Sequence, residues 1–157
     1  MVSLLELGVD IDGRNTEDET PLNRAAAKGD VDVVRLLIER GAEVDSRDNG
    51  GWTPLHYATR NGRLGVSRVL IDHGADVNAR KKNLSTPLDL SATNGYFEIV
   101  KLLLEHGADV HAINDQGETP LQASLETGYQ KITDLLREHG AGSVRFVSIF
   151  LWLNCDV

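Results

Sequence analysis

A chain of 157 residues with 41% apolar side chains can bury a core as one compact unit or a short repeat array, and 25% charged residues argue against global disorder. The formal charge of −8, from 24 acidic against 16 basic residues, repels phosphate backbones and speaks against a nucleic-acid partner. A single cysteine, Cys155, excludes an intrachain disulfide and fits a reducing compartment.

The chain opens on Leu4, Leu5 and Leu7 around Glu6, without the basic lead-in of a secretory signal. The longest apolar run, 146–153, is far short of the roughly 20 residues that a spanning helix needs. A soluble, cytoplasmic or nuclear monomer with no membrane partner is the expectation. Residues 1–19 read as a partial unit, since Gly8 and Ile11 stand 33 positions before Gly41 and Val44.

From Thr20 onward three ladders share that spacing. Thr-Pro-Leu begins at Thr20, Thr53, Thr86 and Thr119. A lone glycine recurs at Gly29, Gly62, Gly95 and Gly128, and Gly-Ala at Gly41, Gly74, Gly107 and Gly140. Threonine caps a free backbone N–H and proline is tolerated at the first helical position, so each Thr-Pro starts a short helix. The lone glycine ends it by taking the left-handed conformation.

A second helix follows, with apolar residues at i, i+3 and i+4: Val33, Leu36, Leu37; Val66, Val69, Leu70; Ile99, Leu102, Leu103; Ile132, Leu135, Leu136. That spacing predicts one buried stripe per helix, ended by the Gly of Gly-Ala. A polar stretch entered through Val44, Val77 or Val110 then forms a projecting hairpin, in which Asn49-Gly50 is a tight-turn signal. Small residues at one repeated position (Ala25, Ala58, Ser91, Ser124) let the short helices stack on one side. The fold class is therefore all-α, a solenoid of helix-turn-helix units with projecting β-hairpin loops. The units are 20–52, 53–85, 86–118 and 119–142, and a non-repeat apolar tail occupies 143–157.

These residues resemble the ankyrin repeat, whose signature is Thr-Pro-Leu-His-x-Ala on a 33-residue period. Thr53-Pro54-Leu55-His56-Tyr57-Ala58 carries it in full, and the resemblance runs from Thr20 to about Ala141. The sequence also departs from the pattern. Asn23, Asp89 and Gln122 replace the histidine. Asp18 and Leu84 replace the glycine kept at Gly51 and Gly117, which predicts a different turn geometry in those two fingers. Gly65, in the first turn of a second helix, is expected to cost about 1 kcal/mol. Ser67 and Thr133 put hydroxyls where Val34 and Val100 sit, predicting softer layers.

No catalytic constellation is present. Cys155 has no His or Asp partner at a recognisable spacing, and no phosphate-cradling glycine loop appears. His73, His106 and His139 share one repeat position, but stacked helices roughly 8–10 Å apart do not converge three nitrogens on one zinc. They read instead as polar heads at helix C-termini. Neither enzyme activity nor a cofactor is expected. Asn78 resembles the asparagines hydroxylated in animal ankyrin repeats, although a turn-stabilising role is the simpler reading. Asn83-Leu84-Ser85 fits a glycosylation sequon at a finger tip, which without a secretion signal is expected to go unused.

What the resemblance implies is a non-catalytic scaffold that binds another protein along a groove of finger tips and short helices. The alternative is a spacer segment within a larger ankyrin-repeat receptor or effector. Carried onto this chain, the groove positions are Asp48, Asn49, Trp52, Arg60 and Asn61 in one unit. In the next they are Arg80, Lys81, Lys82, Ser85, Thr93 and Asn94, and in the last Ile113, Asn114, Glu118 and Glu126. Trp52 is either a binding anchor or a side chain packed on its own finger. Arg80-Lys81-Lys82 is either a solvated charge run or an island that selects an acidic segment. The tail either covers the open face of the last unit or stays unpaired. Loss of the period after Gly142 predicts that the four-unit fold does not need it.

Overall fold

The computed structural model describes residues 10–142, so what the sequence predicts for 1–9 and for the tail falls outside it. Eight helices follow in four pairs: α1 (Pro21–Lys28) and α2 (Val31–Glu39), α3 (Pro54–Arg60) and α4 (Leu64–Asp72), α5 (Pro87–Thr93) and α6 (Phe97–Glu105), α7 (Pro120–Thr127) and α8 (Gln130–Glu138). The odd-numbered helices stack in one row and the even-numbered ones in a second, looser row.

Each odd helix starts as threonine and proline chemistry requires. Thr20, Thr53, Thr86 and Thr119 hold extended backbone, and each hydroxyl accepts the N–H three residues on, at 3.3, 3.4, 3.3 and 3.3 Å. The lone glycines that follow have φ of 86, 69, 79 and 78°, the left-handed region. Three of them also serve as shelves. A Cβ on Gly29 would fall 2.6 Å from Arg63 Cδ, on Gly62 2.8 Å from Tyr96 Cε1, and on Gly95 2.5 Å from Tyr129 Cζ. The residue just before each second helix thus lies flat on the glycine of the preceding unit.

The core is continuous from Leu22 to Ala141, with Leu22, Leu55, Leu70, Leu88, Ile99, Leu103, Ile132 and Leu136 sealed from solvent. The small residues Ala25, Ala58, Ser91 and Ser124 are buried, which is what brings α1, α3, α5 and α7 together. The expected stripe fails in α2. Val33 and Leu36 are 40% and 43% exposed, and only Val34 is buried there. The reason is position: α2 packs on α4, and no described helix covers its other side. Ser67 and Thr133 are buried with their hydroxyls bonded to Arg63 O at 2.9 Å and Ser124 Oγ at 3.0 Å, so neither hydroxyl is left unpaired. Gly65 admits Val31, whose Cγ2 would stand 3.1 Å from an added Cβ.

The fingers are tight turns, and no strand forms among the described residues. In each, an N–H closes on the carbonyl three residues back: Asp18 on Asn15, Gly51 on Asp48, Leu84 on Lys81, Gly117 on Asn114. The expectation that Asp18 and Leu84 alter this geometry is wrong. Both have φ of 64°, alongside 77° at Gly51 and 79° at Gly117. Neighbouring fingers impose the shape. Asn49 N bonds Glu17 O, Lys82 N bonds Gly50 O at 2.9 Å, and Asp115 N bonds Asn83 O at 2.9 Å. Arg14 donates to Arg47 O at 2.7 Å, and Arg47 to Arg80 O at 2.8 Å. A finger that abandoned the left-handed turn would forfeit these ties.

Candidate partner-binding groove

Stacking brings the end of one finger, the following short helix and the next finger around Trp52. The indole is half-buried, with Arg60 Cζ of α3 5.1 Å and Lys81 Nζ of the next finger 4.7 Å from the ring centroid. Such contacts contribute about 0.5–1 kcal/mol each at a partly wet site. Tyr57 lies against it at 5.3 Å between centroids, and His56 meets it edge-on at 6.1 Å. Gly50 makes room, since a Cβ there would fall 2.7 Å from Trp52 Cδ1. Trp52 is therefore both packed on its finger and exposed along part of its surface.

Beneath the indole, the Tyr57 hydroxyl lies 2.5 Å from Asp48 Oδ2 and 2.9 Å from Glu19 Oε1. Its one proton serves one carboxylate at a time. Burial, followed by these two acid contacts, pushes the phenol well above its ordinary pKa. Asp48 Oδ1 meanwhile accepts from Gly50 N at 2.8 Å and Trp52 N at 2.9 Å, fixing the finger. Asn15 and Asn114 do the same in their fingers. The register places Lys81 at that position in the third finger, so its long side chain is free to reach Trp52. Partial burial lowers its pKa, a loss countered by the field of Asp89, Asp115 and Asp48.

Around this centre, Asn49, Arg60, Arg80 and Lys82 are exposed. Asn61, Thr93 and Asn94 are exposed too, and each also donates to its own helix, to Tyr57 O, Asp89 O and Leu90 O. Asn114 and Glu118 are half-buried and bonded to each other at 3.1 Å. Ile113 is 48% exposed, and Glu126 is exposed on α7. Ser85 is the exception. It is only 4% exposed, and its carbonyl accepts from His56 Nε2 at 3.2 Å, so it is a joint between units rather than a groove position.

Ties that sequence reasoning missed hold the fingers in place. Asp12, Asp45 and Asn78, 33 positions apart, accept from Glu43 N at 3.1 Å, Asp76 N at 3.1 Å and Asp109 N at 2.8 Å. Their even spacing was the available signal, as it was for Arg14, Arg47 and Arg80. Asn78 also donates to Gly107 O at 3.2 Å, so both of its amide atoms bind the next unit. The histidine ladder caps helices. His73, His106 and His139 set Nδ1 against the carbonyls of Val69, Leu102 and Leu135 at 2.7, 2.8 and 2.9 Å. Among the described residues no group of three or more His, Cys, Asp or Glu is placed to hold a metal, and no helix is long and apolar enough to cross a membrane.

Two family models match the chain, one described as ankyrin repeats (3 copies) over residues 1–81 and one as ankyrin repeats (many copies) over residues 70–122. No curated protein matches it. Ankyrin repeats generally act as protein–protein interaction modules, typically without catalysis. With its 33-residue register, paired helices and interlocked fingers, the chain belongs to the ankyrin-repeat family.

Proposed function

We propose that this chain is a non-catalytic scaffold that binds a protein partner along the groove centred on Trp52, between the second and third fingers. One observation carries the reading. Trp52, Arg60 and Lys81 come from three successive elements and meet at one half-open spot, so finger tips and short helices present a single continuous surface. Arg80 and Lys82 flank it with exposed cations on an otherwise acidic protein. That island suits an acidic partner segment.

In this reading Trp52 is a platform. It supplies apolar area that loses water on binding, and it holds Arg60 and Lys81 in place. Exposed charges act mainly on association rate and are screened beyond about 8 Å at physiological ionic strength. A partner obtained by affinity capture is titrated against Trp52→Ala, Lys81→Glu/Lys82→Glu and the outer-helix control Glu39→Ala. The first should weaken binding by about 2 kcal/mol or more, and the second should slow association and flatten its salt dependence. Equal binding by all three folded variants would refute the groove.

A further inference from the structure

The last unit ends on a face unlike that of any unit before it. Leu22, Leu55 and Leu88 of the short helices are 0%, 0% and 1% exposed, and Ala26, Thr59 and Ala92, one turn on, are each 0% exposed. The glycines after those helices are covered by Arg63, Tyr96 and Tyr129. In α7 all three positions are open. Leu121 is only partly buried, Leu125 is 49% exposed, and an added Cβ on Gly128 meets nothing within 4 Å.

Leu125 is the informative residue. The inner units need a small side chain there to admit the next short helix, and a leucine holds a regular neighbour off. The terminal units of such stacks also usually turn a polar face outward, whereas this position has gained apolar bulk. The face therefore suits an irregular apolar cover better than another 33-residue unit.

The chain supplies such a segment in the right place. In each inner unit the backbone leaving Gly-Ala goes on to build the cover of the preceding short helix. Here it leaves Ala141 through Gly142, where an added Cβ would stand 3.2 Å from Leu121 Cδ2. Residues 144–153 follow, with Arg145 and Ser148 their only polar side chains. Ten residues reach about 15 Å as a helix and about 33 Å extended, against about 12 Å for α7. The tether keeps the segment at high effective concentration beside the face.

We propose that residues 144–153 dock on the face of α7 formed by Leu121, Leu125 and Gly128, closing the C-terminal end of the stack. The cover is the chain's own tail, neither a further ankyrin unit nor a second copy. A benzophenone amino acid at position 125 of the full chain, illuminated at low protein concentration, should cross-link to 144–153 within one molecule. A cross-link at 36, at the opposite end, should not reach that segment. In parallel, trypsin should cut after Arg145 at least tenfold faster in Leu125→Glu than in the parent, with helical circular dichroism retained, since position 125 is half exposed. Cross-links between chains, no cross-link at all, or equal cleavage rates would overturn the proposal. Should Leu125→Glu lose helicity, the cross-link alone decides.

Discussion

His56 of α3 donates its Nε2 proton to the carbonyl of Ser85, 3.2 Å away in the finger that leads to the next unit. Its Nδ1 accepts from Thr53 N at 3.1 Å and from the Thr53 hydroxyl at 2.8 Å, which fixes the neutral tautomer. Burial is the largest reason that its pKa falls from 6.5 to about 4.

The sign of the pH dependence follows. Between pH 6.5 and about 4 the unfolded chain binds a proton at His56 that the folded chain refuses. The associated stability is complete above pH 6.5 and is lost as pH falls toward 4, by up to about 3 kcal/mol. Asp45 and Asp89, whose pKa values are raised chiefly by burial, act in the opposite sense, so the difference between two proteins is the useful quantity. In His56→Gln, where the amide can cap Thr53 as Gln122 caps Thr119, denaturant midpoints should be flatter over that window. An NMR titration placing His56 near 6.5 would contradict the assignment.

Leu84 holds φ of 64° with its side chain 41% exposed. A left-handed leucine costs about 1–2 kcal/mol, partly offset by the entropy that a glycine loses on folding. Leu84→Gly should therefore raise stability, by up to about 1 kcal/mol, read from the urea midpoint at constant m-value. A lower midpoint would mean that the leucine contributes packing worth more than its backbone strain.

Asn23, Ser46 and Thr20 form a local substitute for the histidine joint. Ser46 donates to Asn23 Oδ1 at 3.1 Å and shares a 3.0 Å contact with the Thr20 hydroxyl, while Asn23 Nδ2 is buried without a partner. Where His56 stands, the residue matching Ser46 is Ala79. Asn23→His and Ser46→Ala should each destabilise alone, by about 1–2 kcal/mol, while the pair recovers at least parental stability. A double-mutant cycle should give a coupling of about 1 kcal/mol or more; additivity would break the inference.

Leu103→Ala should cost about 2–5 kcal/mol, because the residue is fully buried between units. Leu36→Ala, at 43% exposure on the open side of α2, should cost well under half as much. Thermal unfolding followed by circular dichroism at 222 nm separates the two, and equal losses would contradict the burial pattern.

The fold was legible because its determinants are local and repeat. A threonine followed by proline means a helix start whatever surrounds it, and four copies remove the ambiguity of one. The cluster around Trp52 was legible only in outline, since register placed Trp52, Arg60 and Lys81 on one side but could not show that they touch. Ser85 looked like an exposed finger residue and is a buried one, because burial depends on how far the neighbouring His56 reaches. The exposure of Val33 and Leu36 escaped for a related reason. Periodicity says which face of a helix is apolar, not whether a neighbour stands there to cover it.

The glycine shelves bear on how arrays of this kind can be cut and joined. A segment taken from Thr53 to Ser85 carries Arg63 away from Gly29 and strips Tyr96 from Gly62. Each seam then holds half of a matched pair, and a tyrosine arriving over anything larger than glycine has nowhere to go. Chimeras built from these units should exchange the shelf and the side chain that rests on it together, so a segment that keeps one pair whole runs from the glycine to the residue covering it, as from Gly62 to Tyr96, rather than from one unit boundary to the next.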